Sequence, residues 1–424
     1  MQHATRTTGP DVSPDRIGQS IDRFAQISEP GPGVTRLAYS SLERRAHAVF
    51  ADEMTALGLT VGTDAAGNTI AELPPTAEPA TGTIGTGSHL DSVPEGGTFD
   101  GIAGVVAGME AARAIVEARL PRRRPWRFVA FAAEEGARFG QACNGSRIIA
   151  GLTTEPDLHR LADSRGVTMA QAMSDVGLDP TGIARARWRV EDWHAFVELH
   201  IEQGTVLETS GAAIGVVDAI SGSTRLLVHV TGQASHTGGT PMHLRRDALV
   251  TASRCVLACD EIARDPSHRG TRVTVGTMTV RPGSITTIPG SVVFTIDIRD
   301  VDSTRQRRTA DALVAEIGRI ADTAGTVADV NLLGDTSPVV LPSWVADHTM
   351  AAAAELGMRY RVMPSGASHD SQQINRVVPT GMIFVPSRDG VSHVPEEHTE
   401  LEDLAQGTRL LIATMMRLDS DDER

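Results

Sequence analysis

The chain predicts an α/β fold: a doubly wound, mostly parallel sheet in a larger domain, with a smaller α+β domain inserted into it. Three observations predict this. In the first half, short apolar runs of strand length alternate with helical stretches, the pattern of a parallel sheet covered on both faces. Between about residues 217 and 330 the runs change to strict apolar/polar alternation, which marks half-buried strands. After residue 330 the first pattern returns. The reading therefore divides the chain into 1–216, 217–330 and 331–424, the first and last forming one domain. A chain of 424 residues with 41% hydrophobic content can bury two cores of this kind.

In chain order, 1–16 and 74–82 read as Pro/Thr/Gly-rich tail or loop. Thr83 to His89 is a buried strand, Ile102 to Leu120 an Ala/Val-rich helix, Arg127 to Ala133 a second strand and Ala195 to His200 a third. Thr224 to Thr231, Thr271 to Val280 and Ser291 to Arg299 alternate as half-buried strands, with helices at about 246–264 and 303–323. A strand near 380–385 precedes a closing helix from Thr399 to Leu418, whose first turn is acidic. There is no internal repeat.

Composition excludes several functions. A net charge of -14 makes nucleic acid and anionic membrane surfaces poor partners. The first ten residues lack the apolar core of a signal peptide, and no apolar stretch is long enough to span a bilayer. A soluble, cytoplasmic protein is expected. The three cysteines suit neither a disulfide framework nor a thiolate zinc site. Cys255 and Cys259 lie one helical turn apart and read as packing. Cys143 follows an acidic segment closely but has no flanking base in sequence, so a nucleophile is not assigned. All 39 basic residues are Arg, which removes every mechanism that needs lysine, including Schiff bases and the phosphate-binding Walker lysine. A metal site in this chain must be built from His, Asp and Glu.

The most informative segment is Glu134-Glu135, directly after the apolar run Trp126 to Ala133. Carboxylates removed from water cost several kcal/mol unless paired or metal-bound, so packing gives no reason for them. Adjacent like charges raise one another's pKa, which makes one a candidate general base. The competing reading is a solvated loop start. Successive side chains of a regular strand point to opposite faces, so a shared role requires a break there, with Gly136 permitting the turn. His89 lies in Gly-Ser-His-Leu-Asp91, where Asp91 is placed to accept the imidazole's other N–H. Asp100 sits in a glycine-flanked turn before a helix, His200 opens His-Ile-Glu-Gln-Gly204 at a strand end, and His393 lies in a strand-to-helix loop. The chain has 14 histidines and no His-Glu-x-x-His, so each His alone also reads as an ordinary surface or core residue.

Six segments in order carry a resemblance: Gly87 to Val93, Gly96 to Gly101, Ala133 to Phe139, His200 to Gly204, Ala234 to Met242 and Ser365 to Asp370. They resemble the hydantoinase/carbamoylase family of binuclear-metal amidohydrolases, which includes N-carbamoyl-L-amino acid hydrolases, beta-ureidopropionases and allantoate amidohydrolases. That family shares its fold with aminoacylase/carboxypeptidase-type metallopeptidases. The resemblance implies two divalent ions per subunit, zinc or alternatively manganese, cobalt or nickel. His89 and His200 would hold one and Glu135 and His393 the other, with Asp100 between them. A histidine at 200 resembles the amidohydrolase branch, where many peptidase relatives carry a carboxylate. Glu134 would be the general base and Asp91 an orienting residue.

The resemblance also implies that Arg299 grips a substrate carboxylate, that Gln203 makes a polar substrate contact and that His369 lines the pocket. His236 would reach from the inserted dimerisation or lid domain into the partner's site of a homodimer and stabilise an oxyanion. Thr286 stands where the family usually has Asn. The implied reaction is hydrolysis of the ureido C–N bond of N-carbamoyl-L-amino acids, with allantoate as the alternative substrate and a dipeptidase or aminoacylase a more distant one. A non-catalytic binding protein of the same fold would have lost a ligand or the base, and all six positions are present.

Overall fold

The structure, a computed structural model, describes residues 10–421. The expected tail at 1–16 lies outside the described residues over 1–9. From Pro14 onward the expectation is corrected, because Pro14–Ala25 is a helix. Ser13 caps it by accepting from the Arg16 amide, Pro14 opens it, and Ile17, Ile21 and Phe24 bury one face.

The chain forms two compact units, 1–218 with 341–424, and 219–340. The second unit runs ten residues beyond the boundary expected at 330. The strand Val327–Thr336 carries it there, by pairing along its length with Gly222–Thr231.

In the first unit, the four central strands run parallel in the order Trp126–Phe131, Thr83–His89, Trp193–Ile201 and Thr380–Val385. Antiparallel strands extend both margins: Thr69–Leu73 and then Thr60–Thr63 on one side, Ile214–Ile220 on the other. The central strands are buried along almost their whole length, which requires cover on both faces. The helices Ile102–Glu117 and Leu401–Asp419 contribute to that cover, through Val105, Val106, Ala112, Leu404, Leu411 and Met415. Register brings His89 level with Phe131, and His200 level with Phe384. The carboxyl ends of the parallel strands thus lie together, which is where this architecture places ligands.

The second unit is a four-stranded antiparallel sheet ordered Val327–Thr336, Gly222–Thr231, Ser291–Asp300, Arg272–Arg281. Ser291–Asp300 alternates in burial at every residue, so one face is core and the other open. The helices Ala248–Arg264 and Ser303–Ala324 pack on the core face, where Cys255 and Cys259 are buried beside Val228, Phe294, Leu313 and Ile317. A two-stranded ribbon, Ser235–His236 with Thr287–Ile288, lies outside this sheet. Among the described residues no helix is long and apolar enough to cross a membrane.

Candidate metal centre

The strand Trp126–Phe131 stops before the two glutamates, and the chain breaks at Ala133, with φ 57°. The break is therefore present, but it precedes the pair and does not use Gly136. Hydrogen bonds from both sides hold a non-glycine residue in this costly conformation. Buried Glu43 accepts the Ala133 amide at 2.7 Å, and the Asp91 carboxylate accepts the Glu134 and Glu135 amides, each at 2.9 Å. The Asn144 amide donates to the Ala133 carbonyl at 2.8 Å and that of Gly145 to Ala132 at 3.0 Å. Both glutamates consequently turn toward the same centre. Glu134 Oε2 lies 3.9 Å from His89 Nε2, and Glu135 Oε1 lies 3.5 Å from His393 Nε2.

Asp91 orients more than the sequence suggested. His89 Nδ1 is 3.2 Å from the Asp91 backbone carbonyl and 3.5 Å from its carboxylate, which is committed mainly to the two glutamate amides. His200 Nδ1 likewise bonds a carbonyl, that of Ile201, at 2.8 Å. With Nδ1–H donated, each ring presents its Nε2 lone pair to the centre. Those atoms face oxygen: His89 Nε2 is 3.7 Å and His200 Nε2 3.2 Å from Asp100 Oδ1, while His393 Nε2 is 3.0 Å from Asp100 Oδ2. A lone pair facing a carboxylate oxygen is repulsive unless a proton or a cation lies between them.

The donors form two groups whose ligand atoms all lie within 4.8 Å of one another, His89–Asp100–His200 and Asp100–Glu135–His393. Asp100 belongs to both. Imidazole and carboxylate donors in this ratio fit zinc, manganese, cobalt or nickel. Electrostatics fits a cation as well. Burial would raise the Asp100 pKa, yet hydrogen bonds from His200, His393 and His89 hold it well below the usual carboxylate range. Burial lowers His89, but Asp100 and Asp91 push it well above its ordinary value. The hydrogen bond to Asp100 pushes His393 up to about 9. Burial, then the Asp100 charge, pushes Glu135 up to about 7. Burial also pushes Glu134 well up; His89 opposes this, and Glu135 and Asp370 add to it. The centre demands positive charge, which the imidazoles can take up as protons or which dications can supply.

Asp100 owes its place to Gly101, whose φ is 67° and where a Cβ would lie 2.4 Å from the His89 ring. Gln203, with φ 56°, directs its amide to Asp100 Oδ2 at 2.9 Å and to Ser392 Oγ at 3.1 Å. His369 is buried, edge-on to His200 at 4.6 Å between ring centres, with its Nε2 2.7 Å from Ser365 Oγ. It therefore lies against a candidate ligand rather than on an open wall. The ligand atoms of Glu198, His200 and His369 also lie within 4.8 Å of one another, but Glu198 already bonds Ser88 Oγ at 2.9 Å and Ser371 Oγ at 2.6 Å.

Three further residues carry no signal strong enough to find from sequence. Ser40-Ser-Leu-Glu43 reads as an ordinary capping box, yet the Glu43 carboxylate goes to the Tyr39 and Ala133 amides. Cys143, buried with φ 59°, places its thiol 3.0 Å from Glu134 Oε1. Burial and Glu134 push the thiol well up, so it acts as a donor to the carboxylate and not as a nucleophile. Glu397 is buried beneath the loops that carry Asp100 and His393.

His236, Thr286 and Arg299 belong to the second unit. His236 is exposed, and its Nδ1 accepts the amides of Gly238 at 3.1 Å and Gly239 at 3.0 Å. The proton of the neutral ring is therefore on Nε2, which makes that atom a donor. Thr286 accepts the Thr237 amide through its carbonyl at 3.1 Å. Arg299 Nε bonds Asp297 at 2.9 Å.

The chain is similar to known proteins over almost its whole length. The model of peptidase family M20/M25/M40 matches residues 85–417. An N-carbamoyl-L-amino-acid amidohydrolase of Paenarthrobacter aurescens is 42% identical over 405 residues, covering 96% of this chain and 98% of the relative. The allantoate amidohydrolase of Escherichia coli K12 is 36% identical over 394 residues, covering 92% and 94%. A crystal structure of a hydantoinase/carbamoylase family amidase from Burkholderia vietnamiensis superposes with a TM-score of 0.87 at 34% identity, covering 97% of this chain and 98% of that one. The chain belongs to peptidase family M20/M25/M40 and, within it, to the hydantoinase/carbamoylase amidases.

Proposed function

We propose that the protein is a metal-dependent amidohydrolase that cleaves the ureido C–N bond of N-carbamoyl-L-amino acids, releasing ammonia, carbon dioxide and the free amino acid. The observation that carries the metal reading is the set of three imidazole Nε2 atoms aimed at one shared carboxylate, Asp100. The similarity to the Paenarthrobacter amidohydrolase supports the substrate class. His89 and His200 would hold one divalent ion, Glu135 and His393 the other, and Asp100 both. Bound there, two such ions polarise a carbonyl and acidify water.

The chain's own residues supply the remaining chemistry. Glu134, raised in basicity by burial, takes a proton from the attacking water and passes it to the departing nitrogen. The Cys143 thiol holds its Oε1, which leaves Oε2 on the side of His89. Water adds to the ureido carbonyl, the bond to the terminal nitrogen breaks, and the resulting carbamate loses carbon dioxide. Arg299 grips the amino acid's carboxylate, and Gln203, Thr286 and His369 shape the pocket. His236 donates through Nε2 to the developing oxyanion, reaching the site of the partner in a homodimer. The enzyme works in the cytoplasm.

Similarity to allantoate amidohydrolases favours a second substrate, allantoate. Ammonia release should be measured on a panel of N-carbamoyl-L-amino acids, allantoate and dipeptides, with zinc, manganese, cobalt or nickel added. Turnover of the carbamoyl compounds is expected, and Glu134→Gln should lose about 10²–10⁴-fold in kcat with metal still bound. Turnover of allantoate alone would move the assignment to the second reading. No ureido hydrolysis by the metal-loaded protein would sink both.

A further inference from the structure

The reaction chemistry uses Asp100 and His393, but neither side chain explains how two loops nearly 300 residues apart present ligands to one point. The peptide carrying Asp100 and the loop carrying His393 are both irregular, and His393 itself stands at φ 63° on an exposed segment. Irregular, partly exposed backbone does not hold a ligand in place without a fixed partner.

That partner is a single carboxylate. Glu397 Oε1 accepts the amides of Phe99 at 3.0 Å and Asp100 at 2.9 Å. Its Oε2 accepts the Ser392 hydroxyl at 2.6 Å and, more weakly, the His393 amide at 3.4 Å. The side chain is buried, with 4% exposure, and all four donors are neutral. Gln203 closes the circuit by bridging Ser392 and Asp100. The site is shaped to admit this carboxylate, because a Cβ on Gly97 would lie 2.1 Å from Glu397 Oε1.

We propose that Glu397 is a positioning residue that clamps the Asp100 and His393 loops into one metal-binding geometry. Asp100 is common to both ligand groups, so releasing it loosens both ion positions together. His393 lies on the same clamp, so the second position loses two of its three ligands' supports. The inference rests on the metal reading above, and it concerns affinity for the ions rather than the identity of the substrate.

Three variants test it. Glu397→Gln keeps the shape but turns one accepting oxygen into an NH₂ group that cannot accept from its loop. Gly97→Ala keeps the charge and displaces the carboxylate by steric contact. Ser392→Ala removes one donor at a half-buried position and guards against loss of folding in the other two. Zinc affinity is measured by competition with a chromogenic chelator, the thermal midpoint of the metal-free protein in parallel, and kcat at limiting and saturating metal. Glu397→Gln and Gly97→Ala should bind zinc about 10–100-fold more weakly, and Ser392→Ala less weakened than either. Activity should return toward wild type at saturating metal, which a general structural defect would not allow.

Folded variants that all bind zinc within about twofold of wild type would overturn the clamp. Wild-type protein that binds no divalent ion would remove the metal reading and the clamp with it. Tight zinc binding by wild type without ureido hydrolysis would remove only the substrate assignment.

Discussion

At the scale of single residues, the contact between Cys143 and Glu134 gives the thiol a role that the sequence did not suggest. A thiol 3.0 Å from a buried carboxylate oxygen, itself pushed up by burial, is a hydrogen-bond donor. Hydrogen bonds to charged groups contribute about 1.5–3 kcal/mol, and a buried carboxylate that loses one keeps its desolvation cost. Cys143→Ala is therefore expected to lower kcat about tenfold or more, with little change in KM. Cys143→Ser, which restores a donor, should recover most of the loss. Equal loss in both variants, measured by steady-state kinetics at matched metal content, would rule out the donor role. Asp91 shows how far a motif can be read. Its closeness to His89 was legible in Gly-Ser-His-Leu-Asp91, but its two bonds to the Glu134 and Glu135 amides join segments more than 40 residues apart.

At the scale of elements, the end of the strand Trp126–Phe131 decides the geometry of the centre. A break was required by the alternation of strand side chains, and the sequence pointed to Gly136 as the residue able to turn. The structure puts the turn at Ala133, because the buried carboxylates of Glu43 and Asp91 and the amides of Asn144 and Gly145 fix three successive peptides there. Left-handed backbone costs a non-glycine residue about 1–2 kcal/mol, and a β-branched residue more. Ala133→Gly should be neutral or slightly stabilising, while Ala133→Val should cost at least about 2 kcal/mol and lower metal content with it. Urea unfolding midpoints and metal analysis check both; equal midpoints for the two variants would show that the turn is not a constraint. The helix Pro14–Ala25 makes a similar point in reverse. Its cap Ser13 and its opening Pro14 fall in the segment 1–16, whose composition read as a tail, and the apolar spacing that makes it a helix starts just beyond, at Ile17.

At the scale of the whole molecule, the centre concentrates ionisable groups whose charge protons on the imidazoles or bound dications can balance. In the metal-free protein His393 is raised to about 9 by Asp100, and His89 lies well above its ordinary value against the pull of burial. Burial raises Glu135 to about 7 and Glu43 to about 8. Each folded-state value exceeds the unfolded one, so the native state binds more protons across this range. The associated stability is fully present below the unfolded values and is lost as pH rises through the folded ones. Chelated protein should therefore melt at progressively lower temperature between about pH 6.5 and about 9. Added zinc or manganese should raise the midpoint and flatten that slope, since the folded state gathers the ligands that the unfolded chain scatters. A slope unchanged by metal in scanning calorimetry would contradict this account.

The sequence by itself determined the fold class, the four central parallel strands, three strands and both long helices of the inserted unit, two long helices of the larger one, and the family, because apolar periodicity and short ordered motifs are local properties of the chain. It also supplied each proposed ligand, since His89, Asp100, Glu135, His200 and His393 all stand at strand ends or in loops that local pattern marks. Only the tertiary structure decided what holds them: Glu43 beneath Ala133, Cys143 on Glu134, and Glu397 across the Asp100 and His393 loops. Each of these is a contact between segments with no fixed spacing in the chain. A carboxylate or thiol looks the same in sequence whether it faces water or is buried against another residue's amide. The direction of a side chain and the partner it meets are set by packing, and packing is a property of the folded whole.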